Sequence, residues 1–365
     1  MKTGVAHLPL HGGKAPRWLF EKMVTLSGAI LELMVMDQGP DKVLDYLSNP
    51  FWFQAFGCVL GFDWHSSGLT TTTCGAVKEA LKKRGLDMGL FAAGGKGKTS
   101  RKTPDEITSV CDTLGLSLGE ALVQTSRLVA KVDSAAVQDG YQLYHHAFFF
   151  TRSGKWAVVQ QGMHAGNRYA RRYHWLSDAV SSFVDEPHKA ILGNHRQETI
   201  LNLVARRSRP SRDAMVTLAA QSPERLVTEI KKIDTLSLPR HHPIHAETFR
   251  PAHLEKTLLT TYETPPEGFE ELLLIRGLGP KTLRALALLS EVMFGEIPSF
   301  REPAVYSFAH GGKDGHPYPV DLKTYQNSID TLDRCIQQAR LGRGDKVKSL
   351  KALAAFTKRN PAPSC

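Results

Sequence analysis

The chain has 365 residues, 42% of them hydrophobic, and its 46 Lys and Arg outnumber its 36 Asp and Glu, for a formal charge of +10. That is apolar mass enough for a full core and length enough for two domains, and the positive balance suits a polyanionic partner, because neutralising phosphates releases counterions. Cys58, Cys74, Cys111, Cys335 and Cys365 are odd in number, scattered and free of CxxC spacing, which argues against a disulfide framework, a zinc knuckle or a cysteine-ligated cluster and points to reduced thiols in the cytoplasm.

Residues 1–16 have no apolar run and do not read as a signal peptide. The most apolar window, 26–36, is too short for a bilayer and holds Glu32, so it reads as a core helix and no membrane partner is expected. The first third is otherwise helical in pattern. Pro16 is followed by Trp18, Leu19, Phe20, Met23 and Val24 at helical period, and further helices are predicted over 40–47, 76–84 and 117–132. Residues 91–103 read as a Gly- and Lys-rich loop, and Thr103-Pro104-Asp105-Glu106 as a capping box. Within that loop, residues 92–99 spell AAGGKGKT, the loose form of a phosphate-binding loop ending in Lys98 and Thr99. Such a loop must follow a buried strand and run straight into a helix. No convincing strand precedes it and the next cap waits until Thr103, so it reads as a flexible basic loop, and no nucleoside triphosphate is expected as a partner.

The middle changes character. Residues 144–151 and 155–163 are β-rich and joined by Arg152-Ser153-Gly154, which predicts a hairpin. In residues 164–175 basic and aromatic side chains interleave. Such a mixture can hold phosphates and stack on bases, so Arg168, Tyr169, Arg171, Arg172 and Tyr173 are expected nucleic-acid contacts; an ordinary surface segment with inward-packed aromatics is the alternative. The basic stretch 205–213 marks a boundary between an N-terminal α+β domain (1–205) and a helical one (213–365). Helices are predicted over 223–233, 253–261 and 266–276. His241, His242 and His245 have no carboxylate or cysteine at helical spacing and read as solvated rather than as metal ligands. The expected fold is mainly α, with a small β-hairpin or sheet in the middle and an all-α C-terminal part.

The most informative stretch follows. An apolar helix with Leu272, Leu273, Leu274 and Ile275 is broken by Gly277-Leu278-Gly279, and Pro280-Lys281-Thr282 opens the next helix. The glycines allow positive φ and close approach of a phosphate, Leu278 can plug the turn into the core, and proline is tolerated in a first helical turn. The free N–H groups of the new helix, with Thr282, then face an anion and grip a backbone without reading its sequence.

Residues 269–282 resemble the helix-hairpin-helix of the DNA glycosylase superfamily related to endonuclease III and 8-oxoguanine glycosylase. The Gly/Pro-rich run 308–321 ends in Pro319-Val320-Asp321, and a helix is predicted from Leu322. Asp321 matches that family's essential aspartate and Lys281 the lysine of its lyase-competent members. The interval of 40 residues between them is longer than that family's, its cysteine cluster is absent, and the first two hundred residues match no glycosylase lobe. The whole chain also resembles an uncharacterised family common in archaea and thermophilic bacteria.

The resemblance implies a DNA-binding base-excision repair enzyme acting on damaged or abasic duplex DNA. Asp321 would stabilise an oxocarbenium-like state, and Lys281, its ammonium disfavoured beside Arg276 and Arg284, would attack C1′ of a flipped-out nucleotide as a neutral amine. The chemistry requires no cofactor and leaves room for a monovalent cation at the hairpin. Two alternatives stay open. One is a non-catalytic clamp or scaffold, in which Lys281 contacts phosphate and Asp321 caps a helix. The other is a metal-dependent nuclease using Asp63, His65, His145, His146 and His164, although Gln160 and Gln161 stand where its acidic pattern would fall.

Overall fold

The computed structural model describes residues 15–62, 66–164, 166, 169–193, 200–232, 251–301, 303, 322–339 and 341–359. Four helices come first: α1 (Arg17–Gln38), α2 (Pro40–Ser48), α3 (Pro50–Val59) and α4 (Gly68–Met88). Asn49 starts α3 by accepting from the amides of Phe51 (3.0 Å) and Trp52 (3.2 Å), with Pro50 in the first turn. Every residue of α3 is buried. It therefore carries no polar face, and periodicity does not announce it.

The chain then enters β1 (Leu90–Lys96), a 3-10 turn (Gly97–Lys102), α5 (Thr103–Leu114) and α6 (Gly119–Lys131). The loop expected over 91–103 is thus a strand followed by a turn. Its glycines hide the alternation: Gly94 and Gly95 have φ of +88° and +145°, conformations that L side chains rarely adopt. The expected capping box does not form. Thr103 Oγ1 donates to the Ser100 carbonyl (2.7 Å), while Glu106 turns away to accept from the Gly94 amide (2.7 Å) and Lys78 Nζ (2.6 Å), tying α5 to the strand.

A one-turn π-helix, Val132–Ala136, leads from α6 into β2 (Val137–Gln138), β3 (Gln142–Thr151), β4 (Trp156–Met163), β5 (Ala170–Leu176), β6 (Ala190–Leu192) and β7 (Leu201–Asn202). β2 pairs only with β7. The others form an antiparallel sheet in the order β1-β3-β4-β5-β6. The predicted hairpin is β3 and β4, turning at Gly154 with φ +85°. The basic and aromatic segment expected on the surface is β5, an inner strand.

The register assigns residues to faces. Phe149, Ala157 and Leu176 face α1–α4, whereas Phe148, Val158 and Trp175 face the other way. Each face has its own core. The remaining helices are α7 (Arg209–Ala219), α8 (Pro223–Lys232), α9 (Pro251–Glu263), α10 (Phe269–Leu274), α11 (Pro280–Phe294), α12 (Leu322–Gln338) and α13 (Arg343–Arg359). Helices α7–α11 join α5 and α6 on one side, and α12 and α13 return to α1–α4 on the other. The boundary expected at 205–213 falls inside one core, in which Leu203, Val204, Met215 and Leu218 sit together with Phe148 and Leu286.

Candidate nucleic-acid interface

The turn between α10 and α11 is built by three residues with different tasks. Gly277 has φ +90°, so the backbone itself asks for glycine. Leu278 is 1% exposed and belongs to the core with Leu272, Leu273 and Leu283, which pins the turn to the body of the protein. Gly279 is different. Its φ of −126° and ψ of −178° are extended values open to any residue, and a Cβ there would meet nothing within 4 Å. Only one of the two glycines is therefore required for positive φ. The Gly279 carbonyl accepts from the Leu283 amide (3.0 Å), Pro280 occupies the first turn, and no side chain caps the start of α11. Its first N–H groups have no intrahelical acceptor. Arg276 and Lys281 are exposed beside them, and Thr282 is buried.

The turn is held from behind by the segment around the π-helix. Lys131 Nζ donates to the Leu278 carbonyl (2.6 Å), and Gln138 Nε2 to the Pro280 carbonyl (2.8 Å). Arg284 Nε donates back to Gln138 Oε1 (2.8 Å). Lys131 is half-buried, and burial lowers its pKa. Nothing local in the sequence singles out Lys131 or Gln138, because the turn they hold lies far along the chain.

Lys281 stands in solvent on the first turn of α11, so burial does not act on its amine as the sequence reading supposed. Asp321 lies outside the described residues, as do Arg168, Asp63, His65, His241, His242 and His245.

Three of the expected contacts are corrected. Arg171, Arg172 and Tyr173 are each 0% exposed, so no polyanion on the surface reaches them. Arg171 Nη1 donates to Asp139 Oδ2 (2.9 Å) and its guanidinium lies 4.6 Å from the Tyr141 ring centroid. The Tyr173 hydroxyl donates to the same carboxylate oxygen (2.6 Å), and its pKa is raised by burial and by the charge of Asp139. Arg172 faces α3 and α4, donating to Gln54 Oε1 (3.0 Å) and Thr70 Oγ1 (3.2 Å); burial lowers its pKa to about 9. Tyr169 is half-buried.

The histidine candidates of the nuclease alternative are interior as well. Gln160 Nε2 donates to Asp133 Oδ2 and the Val129 carbonyl, which turns its Oε1 toward His146 Nδ1 (2.7 Å). Nδ1 therefore carries the proton, and Nε2 accepts from Ser126 Oγ (2.9 Å). Asp133, held by the π-helix, also takes Trp175 Nε1 (2.9 Å) and His188 Nε2. Ser126 is 3% exposed and His146 6%, so this chain of hydrogen bonds orders a core instead of offering a nucleophile to solvent. His145 is buried in β3, and His164, partly exposed, follows β4. Among the described residues, no group of three or more His, Cys, Asp or Glu could hold a metal ion, and no helix is long and apolar enough to cross a membrane.

Comparison with known proteins gives a family. Residues 4–320 match the family described as Protein of unknown function (DUF763), and the chain belongs to it. No curated protein and no solved structure matches.

Proposed function

We propose that this member of the DUF763 family binds duplex DNA by its phosphate backbone, through a helix-hairpin-helix made by α10, the turn and α11. The observation that carries the reading is Gly279. Neither its backbone angles nor its surroundings call for glycine, so the missing side chain makes sense as room for a partner that approaches the backbone closely. The uncapped N–H groups of α11, the exposed Arg276 and Lys281 and the formal charge of +10 all favour a polyanion as that partner.

The test separates binding from folding. Gly279→Ala is expected to leave the melting temperature unchanged and to weaken binding of a fluorescent duplex about tenfold, or ~1.4 kcal/mol, because its methyl group occupies the space of the phosphate. Affinity that is unchanged in Gly279→Ala sinks the reading.

A second reading adds catalysis, and the exposure of Lys281 favours it, since an amine beside the phosphate grip can reach a flipped-out sugar. The amine attacks C1′, the base leaves with the C1′–N bond pair, the ring opens to an imine, and loss of the C2′ proton expels the 3′ phosphate. Asp321 would assist as the carboxylate that steadies the positive sugar. Borohydride should then trap a covalent adduct on an abasic or damaged duplex, and Lys281→Gln should abolish it. Absence of an adduct with binding intact leaves the non-catalytic clamp, and metal-dependent cutting that survives Lys281→Gln would point to the nuclease.

A further inference from the structure

The sheet face beneath α3 and α4 changes from apolar to polar toward one end. Lys96, His145, Gln161 and Arg172 stand directly across from one another on four neighbouring strands, so their side chains share a face in a single row. Lys96 is exposed, and the other three are buried. The start of α4 closes over them: the Ser67 carbonyl accepts from Gln161 Nε2 (2.9 Å), and Thr70 Oγ1 accepts from Arg172 Nη1 (3.2 Å). A register shift between Leu143 and His145 puts Tyr144 beside the row, where its hydroxyl accepts from Gln161 and its ring lies 5.8 Å from Lys96 Nζ.

Unmade hydrogen bonds gather in this layer. Both ring nitrogens of His145, Gln161 Oε1, Thr73 Oγ1 of α4 and Trp52 Nε1 of α3 are buried without a partner. A buried polar atom left unpaired costs about 1–3 kcal/mol, and native proteins leave few of them. Several on one face call for a guest that supplies hydrogen bonds. The guest's chemistry follows from the groups present. A guanidinium, an ammonium, two threonine hydroxyls and an indole N–H are donors, and no carboxylate appears among the described partners of the row. Gln161 Oε1 and one nitrogen of His145 are acceptors and suit the proton of a hydrogen phosphate. The approach is basic too: Lys98, Arg101 and Lys102 are exposed on the turn that follows Lys96.

We propose that the row Lys96, His145, Gln161 and Arg172 binds a phosphate group, with Lys96 at the entrance. The site uses no residue of the α10–α11 turn and stands whether or not that turn grips DNA. Two sources share this chemistry, the terminal phosphate of a nucleic-acid strand and a small free phosphate or nucleotide.

The full chain is titrated with inorganic phosphate against chloride at matched ionic strength, read by calorimetry and by ³¹P line width. Binding with a saturable isotherm and a broadened ³¹P line is expected. Lys96→Glu, at an exposed position, should keep the ligand-free melting temperature and weaken binding at least tenfold, while Gly279→Ala should leave it unchanged. His145→Asn is a second variant, with Lys96→Glu standing alone if it does not fold. An oligonucleotide bound tenfold better with a 5′ phosphate than with a 5′ hydroxyl assigns the strand end. A nucleoside monophosphate bound as well as that oligonucleotide assigns the small ligand. No heat and no broadening with wild-type protein overturns the proposal and leaves ordered water as the guest.

Discussion

At Gly94 the chain has no room for a side chain. A Cβ there would lie 2.2 Å from the His146 carbonyl oxygen and 2.6 Å from Thr103 Oγ1, on a backbone with φ +88°. Gly94→Ala should therefore cost roughly 3 kcal/mol of stability or more, from left-handed strain plus a contact with backbone that cannot swing aside. Urea unfolding measures it, and an unchanged midpoint would show that β1 can shift to accommodate a methyl group. Single residues were the least legible part of the sequence. Alternating Arg and Tyr over 169–173 is what an exposed groove would show, and equally what a buried strand shows when both its faces carry polar partners. The partner that decides, Asp139, lies more than thirty positions earlier than Arg171 and has no local mark. Gly277 and Gly279 look alike in sequence, and only their φ values separate a glycine the turn needs from one it does not.

Whole elements were easier to read, where end signals and periodicity agreed. Proline in the first turn announced α2, α5 and α11, and the half-buried stripe announced α1. Elements buried all round gave no such stripe, which is why α3 was missed, and β1 was missed because glycines interrupt it. The coupling of one element to another was not legible at all. The turn at 277–279 was expected to leave room for a monovalent cation, yet the Leu278 carbonyl already holds the ammonium of Lys131. If the hairpin reading holds, exchanging potassium for tetramethylammonium at fixed ionic strength should change duplex affinity by less than about twofold in the wild type. Lys131→Met should lose about tenfold, the loss of one charged hydrogen bond of ~1.5 kcal/mol, and recover part of it in potassium. Fluorescence anisotropy reads both. Wild-type binding that depends on potassium would mean that Lys131 does not stand in for the ion.

For the molecule as a whole, the buried histidines of the sheet set the response to acid. Burial lowers the pKa of His145 to about 3 and of His146 to about 4, and that of His174 well below the usual range. All three are neutral when folded, whereas the unfolded chain takes up protons near pH 6.5. Stability is therefore full above that pH and falls as the pH drops toward the folded values, by roughly 2 kcal/mol for each histidine at pH 5. Urea midpoints at pH 7 and pH 5 test this, and midpoints that coincide would mean that these rings accept protons in place. Fold class was legible in composition and pattern, because helices dominate around one modest sheet. The shared core was not, since a basic, polar stretch such as 205–213 reads as a linker although Ser208, Ser211 and Arg212 within it are buried. The return of α12 and α13 to the first four helices has its own outcome. Phe356 lies edge-on to Phe51 with ring centroids 5.0 Å apart, Arg334 pairs with Asp37 (2.9 Å), and Asp345 with Lys22 (2.7 Å). On the ribosome the opening helices are the first to emerge and the last to be covered, because their seal is the final segment translated. The nascent protein thus carries an unfinished apolar wall through most of its synthesis, and a stop codon only slightly early would leave it permanently bare.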